Sequence, residues 1–120
     1  AKMVRKVKAV HPHVPIIGFP KGAGSRYDDY RERTGVSALG LDWAVPLSQA
    51  RRLQASGAVQ GNLDPLRVVA GAQALDEGVD AILEGLGSGP LVFNLGHGIT
   101  PEAPVENVER MLKRVRGAWR

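Results

Sequence analysis

The alternation of short apolar segments with helical segments is the feature that most constrains this chain. Four times along the sequence, a short run of β-favouring residues leads through a polar or glycine-rich turn into a helical pattern. The predicted strands are Val14–Phe19, Ala38–Leu41, Ala58–Gly61 and Leu91–Phe93. Strands that alternate with helices indicate βαβ units, right-handed crossovers and a parallel sheet, so the predicted fold class is α/β.

Helical periodicity is clearest after the third strand. The predicted helices are Ser25–Thr34, Pro46–Ala55, Pro65–Ala70, Gln73–Leu86 and Pro104–Trp119, and another helix over Ala1–Val10 precedes the first strand. In the helix over Gln73–Leu86 the apolar side chains at helical spacing are Leu75, Val79, Ile82, Leu83 and Leu86. In the last helix the predicted buried stripe is Val105, Val108, Met111, Leu112, Val115 and Trp119.

Capping residues mark several of the predicted helix ends. Ser25 is a predicted N-cap, and Gly35 is a residue that typically ends a helix. Pro46 is expected at the first helical position. Because Asp64 directly precedes Pro65, we predict that the Asp64 carboxylate caps the helix that begins there.

Two architectures agree with this pattern, an open doubly wound sheet and part of a (βα)8 barrel. All four strand-to-helix turns carry polar or glycine residues, which favours a barrel, where every such turn contributes to one mouth. The 120 residues are about half of a typical barrel of about 250 residues. We therefore predict four consecutive βα units preceded by a helix, resembling the second half of a (βα)8 TIM barrel. They would form a single incomplete domain over residues 1–120.

The start of the chain and its open sheet lead to two further expectations. No capping residue and no initiator methionine precede the first helical pattern, so we expect a fragment of a longer protein. Four parallel strands would leave two open edges and one face without an opposite wall. We therefore expect the chain to self-associate, for example as a homodimer.

Composition excludes several kinds of chemistry and partner. The absence of cysteine excludes disulfides, thiolate metal sites and a cysteine nucleophile. The net charge is +4, and the terminal basic residues are Lys2, Arg5, Lys6, Lys8, Lys113, Arg114, Arg116 and Arg120. We interpret them as solvated helix faces, because aromatic residues do not alternate with them as in single-strand nucleic-acid binders. No apolar run approaches the roughly 20 residues that span a bilayer, so we expect neither a nucleic-acid nor a membrane partner.

The ends of the four strands carry the candidate site residues. They are Phe19, Lys21, Gly22, Asp42, Trp43, Asn62, Asp64, Asn94 and His97. In a barrel these residues would converge on one mouth. Among them, His97 lies between Gly96 and Gly98, so a ligand can approach both the imidazole and the backbone closely. A histidine in an ordinary surface turn would have the same sequence, and one histidine alone does not decide between these interpretations.

Other polar residues have simpler explanations. Asp42 could cap a helix, accept a hydrogen bond from a neighbouring strand or contact a ligand, and the sequence leaves these alternatives open. Trp43 is expected in the core or at the rim. The turn Lys21–Ser25 could bind an anion through backbone N–H groups, although it lacks the spacing of a P-loop. His11 and His13 would lie at the opposite rim as structural or solvated residues. No metal-ligand spacing and no Ser/His/Asp arrangement is present.

Five segments in a fixed order resemble a known family. They are Gly18-Phe19-Pro20-Lys21-Gly22-Ala23-Gly24, Gly40-Leu41-Asp42-Trp43, Gln60-Gly61-Asn62-Leu63-Asp64-Pro65, Asn94-Leu95-Gly96-His97-Gly98-Ile99-Thr100-Pro101 and Pro104-x-Glu106-x-Val108. Together they resemble the carboxyl-terminal third of uroporphyrinogen decarboxylase, and the first segment is similar to the bacterial form. The resemblance covers essentially the whole chain.

The resemblance implies a cytoplasmic, usually dimeric (βα)8 enzyme of haem and porphyrin biosynthesis. Such an enzyme is a carboxy-lyase that decarboxylates the acetate side chains of uroporphyrinogen to give coproporphyrinogen, with neither metal nor other cofactor. The family's histidine in the corresponding turn contacts the substrate, and His97 matches it. His97 is therefore the expected substrate-binding residue, where an imidazole could donate a hydrogen bond to a carboxylate or orient one.

The family's catalytic machinery has no counterpart in this chain. Its arginine-rich segment, its aspartate beneath the pyrrole nitrogens and its substrate-contacting tyrosine and serine all precede the matched region. We therefore expect no catalytic residue here and no decarboxylation by this chain alone. Two alternatives are a non-enzymatic half-barrel that binds or assembles, and a relative of the cobalamin-linked methyltransferases. The second is disfavoured because those enzymes hold zinc partly through thiolate, and cysteine is absent.

Overall fold

A computed structural model describes residues 1–118. Within them, one parallel sheet contains β1 (Ile17–Gly18), β2 (Ala38–Gly40), β3 (Ala58–Leu63) and β4 (Leu91–Leu95). The α-helices are α1 (Lys2–Val10), α2 (Tyr27–Thr34), α3 (Leu47–Gln54), α4 (Pro65–Ala70), α5 (Ala72–Leu86) and α6 (Val105–Gly117). The structure confirms the predicted α/β class with consecutive βα units after an initial helix.

The strands are neighbours in the same order in which they follow along the chain, β1-β2-β3-β4. A doubly wound sheet reverses its strand order at a switch point, whereas successive strands of a (βα)8 barrel always lie side by side. The order over residues 1–118 therefore fits part of a barrel. The consequence for function is that the carboxyl ends of all the described strands meet at one edge.

The first strand is much shorter than the predicted Val14–Phe19. Pro15 has no N–H to donate to a neighbouring strand, and the Val14 N–H bonds back to the His11 carbonyl oxygen at 3.3 Å in a turn. Pairing with β2 is therefore limited to Ile17 and Gly18. The third and fourth strands continue beyond their predicted ends at Gly61 and Phe93. They remain paired as far as Leu63 and Leu95.

Helices pack on one face of the sheet and form the core. From the strands the core takes Leu39, Val59 and Leu63, and from α5 it takes Leu75, Val79, Ile82 and Leu86, all buried. The predicted apolar face of α5 is thus confirmed, with Leu83 partly buried at its margin. On the alternate strand positions, Ile17 is 44%, Phe19 44% and Val92 46% exposed. The described sheet therefore presents an apolar second face to solvent.

The last helix has a narrower buried stripe than its sequence predicted. Val108, Met111 and Val115 pack against the core, whereas Val105 and Leu112 are exposed, so the prediction was wrong for those two residues. The reason is that α6 packs chiefly on α4 and α5, which cover only part of its apolar face. The predicted stripe and the basic carboxyl end also included Trp119 and Arg120, which lie outside the described residues.

Two arginine–aspartate pairs join α6 to α5. Arg110 donates to both carboxylate oxygens of Asp76 at 2.8 and 2.7 Å. Arg114 donates to both carboxylate oxygens of Asp80 at 2.6 Å. Hydrogen bonds from these arginines lower the pKa of both carboxyl groups. Because the pairs are on the surface, apolar packing contributes more to holding α6 in place.

Two helix ends have the capping residues that the sequence predicted, and two other predicted helix starts differ from the structure. The Asp64 carboxylate accepts from the Leu66 N–H at 2.9 Å with Pro65 at the first helical position, as predicted. Gly35 ends α2 in the left-handed conformation, with φ of 69°. Ser25 is not an N-cap, because it lies in a 3-10 turn over Gly24–Arg26 that delays the α-helix to Tyr27. Pro46 precedes α3 instead of beginning it, a shift of one residue.

Among residues 1–118, no helix has the length and apolar character needed to cross a bilayer.

Candidate functional site

An open cleft of about 500 Å³ lies at the carboxyl edge of the sheet. The residues that line it are Phe19, Gly40, Leu41, Gln60, Asn94, Leu95, His97, Gly98, Ile99 and Met111. This set is mainly apolar, with two amides and one imidazole, and it contains neither a fixed cation nor a carboxylate. Within the described chain, the cleft brings together the predicted candidates Phe19, Asn94 and His97 from the first and fourth βα units.

The turn that carries His97 is fixed against its neighbours by backbone contacts. The Gly96 N–H donates to the Leu63 carbonyl oxygen of β3 at 2.7 Å. A Cβ on Gly96 would lie only 2.6 Å from the Trp43 Cα, so this close approach requires glycine. His97 itself is exposed, and its imidazole has no hydrogen-bond partner among residues 1–118. The backbone is therefore held while the side chain stays accessible to a ligand.

Asn94 has one end of its side-chain amide engaged and the other end free. Its Oδ1 accepts from the backbone N–H of Leu95 at 2.8 Å. The amide nitrogen makes no hydrogen bond within the described residues, and the side chain is exposed in the cleft. The geometry therefore leaves two N–H donors available beside His97.

Gln60 was not among the residues chosen from the sequence. It is a half-buried residue of β3 that lines the cleft, and its side chain makes no hydrogen bond within residues 1–118. Its neighbour Val59 is fully buried on the helix side of the sheet, so alternation directs Gln60 to the open face. The alternation around Val59 was visible in the sequence, but the face that the helices leave open was not.

Asp42 is the centre of a separate, closed polar cluster. Its side chain accepts from the Gly22 N–H at 2.9 Å, the Tyr27 hydroxyl at 3.1 Å and the Ala44 N–H at 2.9 Å. The Asp42 N–H in turn donates to the Tyr27 oxygen at 3.2 Å. Of the alternatives left open by the sequence, the structure supports acceptance from neighbouring segments. We call Asp42, Gly22, Tyr27 and Ala44 the Asp42 cluster.

Burial raises the pKa of the Tyr27 hydroxyl above its ordinary value. The hydrogen bond from the Asp42 N–H acts in the opposite direction, and the negative charge of Asp42 adds to the rise. The phenol is therefore held as a neutral donor to Asp42 at ordinary pH. This arrangement ties the turn after β1 to the end of β2. It also occupies the Gly22 N–H, which is one of the backbone donors of the Lys21–Ser25 turn.

Asn62 and Asp64, the candidates at the end of β3, have structural partners. The buried Asn62 amide donates to the carbonyl oxygens of Asp42 at 3.0 Å and Val45 at 2.9 Å. The Asp64 side chain caps α4 as described above. Trp43 is 54% exposed, which places it at the rim as one of the two predicted locations.

Both remaining histidines lie away from the cleft. His11 and His13 are exposed in the connection that follows α1, as expected for solvated residues. Among residues 1–118, no three side chains of the metal-binding types His, Asp and Glu come together as a possible metal site.

Comparison with known proteins gives one family. The family model described as "Uroporphyrinogen decarboxylase (URO-D)" matches residues 1–118. Proteins named uroporphyrinogen decarboxylase from Brucella ovis, Brucella canis and Brucella suis are each 74% identical over 117 residues. These matches cover 98% of this chain and 34% of each relative, so the chain spans about a third of the length of the curated relatives it matches. The matched region is the carboxyl-terminal part of the relative.

Proposed function

We propose, because this chain belongs to the uroporphyrinogen decarboxylase family, that it forms the carboxyl-terminal wall of a carboxy-lyase site. The reaction would convert acetate side chains of uroporphyrinogen into methyl groups, giving coproporphyrinogen. The observation that carries this proposal is the cleft at the carboxyl edge of the sheet, where His97 is exposed on a turn held by Gly96. In barrels of this kind, the site lies at that edge.

The chemistry of the cleft indicates binding and orientation. The substrate carries carboxylates around an apolar tetrapyrrole ring, and the cleft offers apolar surface together with hydrogen-bond donors. The His97 imidazole would donate a hydrogen bond to a substrate carboxylate or fix its orientation. Apolar side chains such as Phe19 and Ile99 would lie against the ring.

Bond cleavage needs groups that this cleft does not offer. When CO₂ leaves an acetate side chain, the bonding electron pair stays on the methylene carbon, which becomes a methyl group by taking up one proton. A polyanionic substrate also needs compensating positive charge, and neither lysine nor arginine lines the cleft. We therefore propose that the arginines and the acidic group act from other parts of such an enzyme, and that this chain alone does not decarboxylate the substrate.

Self-association is part of the same proposal. The second face of the sheet exposes Ile17, Phe19 and Val92, and apolar exposure on a sheet face favours burial against a partner. We propose that isolated chains cover this face by pairing into homodimers. Sedimentation at micromolar concentration should show a dimer, and a stable monomer that binds no hydrophobic dye would contradict it. A cytoplasmic location, without nucleic-acid or membrane partners, is also proposed.

A hybrid enzyme tests the proposed function. In it, this chain replaces the matching carboxyl-terminal segment of the Brucella ovis relative, and 74% identity favours compatible packing. The hybrid should form coproporphyrinogen from uroporphyrinogen, while the 120-residue chain alone and the relative without this segment should not. Product carboxylates can be counted by chromatography after oxidation to porphyrins.

The outcome also separates the proposed function from a binding or assembly module. A folded hybrid with neither turnover nor saturable binding of uroporphyrin would contradict the decarboxylase proposal. If the isolated chain dimerised tightly in that case, the half-barrel assembly hypothesis would be favoured.

A further inference from the structure

We propose that Asn94 is a second substrate-binding residue, whose side-chain amide donates a hydrogen bond to a carboxylate beside the one that His97 contacts. The inference rests on the proposed function, because it assigns a further contact to the same polycarboxylate ligand. It starts from the orientation of the Asn94 amide, which the backbone of β4 determines.

The free end of the amide must be the donor end. In β4 the Gly96 N–H points to β3, where it bonds to Leu63, so the N–H of the preceding residue, Leu95, points to the open edge. That N–H donates to the Asn94 side chain at 2.8 Å. An N–H group needs an acceptor, so the contacting atom is Oδ1, and the two N–H groups of Nδ2 face away from the backbone.

The surroundings of Nδ2 suit a carboxylate. Asn94 and His97 line the same cleft, three residues apart on one strand and its turn. No carboxylate lines this cleft, so an incoming anion meets no repulsion there. No described residue accepts a hydrogen bond from Nδ2. A ligand carboxylate would therefore complete the hydrogen bonding of Asn94 without displacing an internal partner.

A purely structural role for Asn94 is the competing explanation, and Asn94→Asp separates the two. Aspartate keeps an oxygen that can accept from the Leu95 N–H, so the edge of β4 stays capped. It removes both N–H donors and places a negative charge where the carboxylate would bind. Asn94→Ala removes both functions. A matched charge control is Ser88→Asp, an exposed turn residue between α5 and β4, at the opposite end of that strand.

The test measures uroporphyrin affinity of the hybrid enzyme by porphyrin fluorescence. Urea unfolding is measured on the 120-residue chain itself, in which β4 is an edge strand of the sheet. We expect Asn94→Asp to weaken binding at least about tenfold while the unfolding midpoint is retained, since one hydrogen bond to a charged group has that magnitude. We expect Ser88→Asp to bind within about twofold of the unchanged hybrid. Asn94→Ala should weaken binding and also lower the unfolding midpoint.

Each alternative result has a distinct meaning. If the unchanged hybrid binds uroporphyrin and Asn94→Asp binds as well as Ser88→Asp, the role of Asn94 is overturned while the proposed function stands. If Asn94→Asp loses binding only in proportion to a lowered unfolding midpoint, the structural explanation replaces the inference. If the unchanged folded hybrid binds no uroporphyrin, the proposed function fails and this inference fails with it.

Discussion

The Asp42 cluster and the pair Asn94–His97 lie at the same edge of the sheet but differ in whether their polar atoms are buried and have hydrogen-bond partners within the chain. Asp42 is 7% exposed, and both of its carboxylate oxygens accept hydrogen bonds from within the chain. Asn94 and His97 are exposed, and their donors have no partners among the described residues. A polar group that is buried and fully paired contributes to stability, whereas an accessible unpaired donor is available to a ligand.

This contrast assigns separate functions to two sets of residues that look alike in the sequence. Asp42, Asn94 and His97 are all polar residues that follow a predicted apolar strand, and all three occur in segments that resemble the same family. The structure indicates that the first set holds the rim of the cleft and the second set faces into it. Substitutions in the two sets should therefore change different measured quantities. Of the four predictions below, those for Asp42, Tyr27 and His97 test this separation, and the one for Asp64 measures a helix cap outside both sets.

The largest loss of stability is predicted for Asp42→Ala. The change leaves the Gly22 N–H, the Ala44 N–H and the Tyr27 hydroxyl without their acceptor in a buried site. We expect the free energy of unfolding to fall by about 3 kcal/mol, measured by urea denaturation at a fixed chain concentration. Asp42→Asn is the matched variant, because it keeps the shape but places an amide group against existing donors. A loss below about 1 kcal/mol would mean that the Asp42 carboxylate is not buried and fully hydrogen-bonded within the chain.

A smaller loss, with a characteristic pH dependence, is predicted for Tyr27→Phe. At pH 7 the lost hydrogen bond to a charged partner should cost about 2 kcal/mol, because the ring stays buried. Burial raises the pKa of Tyr27 in the folded chain, so its contribution is complete below the unfolded value near 10. As the pH rises further, through the folded pKa, that contribution is lost.

The test of this dependence is a comparison of unfolding free energies at pH 8 and above pH 10. In the alkaline range the free energy of unfolding of the unchanged chain should fall more steeply with rising pH than that of the Tyr27→Phe variant, since phenylalanine cannot ionise. The second tyrosine, Tyr30, is present in both proteins and cancels from the comparison. Equal alkaline slopes would contradict the buried, neutral phenol.

Asp64→Ala should have a smaller effect on stability. The substitution removes the side-chain acceptor for the Leu66 N–H at the start of α4, and loss of such a cap typically costs about 1 kcal/mol. Asp64→Asn is the matched control, because an amide oxygen can still accept from this N–H. Weakened binding of uroporphyrin by the hybrid, with a small loss of stability, would instead give Asp64 a role in the site.

Local chemistry made Asp64 and the α5 core predictable, while the Asp42 cluster needed the tertiary structure. A cap acts over two residues, and the apolar face of α5 repeats within one helix. Both features can therefore be recognised from residues that are close together in the sequence. The partners Gly22 and Tyr27 lie 20 and 15 residues before Asp42, and only strand pairing brings them to it. Three alternatives for Asp42 therefore remained open in the sequence.

Only part of the candidate site could be predicted, because some of its residues are placed by the tertiary structure and not by local sequence. The position of His97 at the end of β4 follows from an apolar run that ends in a glycine-flanked turn. The role of Gln60 depends on which face of β3 the helices leave uncovered, and strand alternation alone does not choose that face. Ser25 was predicted as a cap because its residue type is suitable, but the tight turn over Gly24–Arg26 delays the helix.

The smallest change in stability is predicted for His97→Asn, and this variant tests the other side of the comparison. The imidazole is exposed and makes no hydrogen bond within residues 1–118, so unfolding should change by no more than about 0.5 kcal/mol. In the hybrid enzyme, the same substitution should weaken uroporphyrin binding and reduce turnover, because asparagine does not reproduce the reach and donor geometry of imidazole. Asp42→Asn should show the reverse pattern, with a large loss of stability. Where that variant remains folded, its affinity should be nearly unchanged. If His97→Asn leaves both affinity and turnover unchanged, hydrogen-bond pairing does not distinguish the two clusters, and His97 is a residue of an ordinary surface turn.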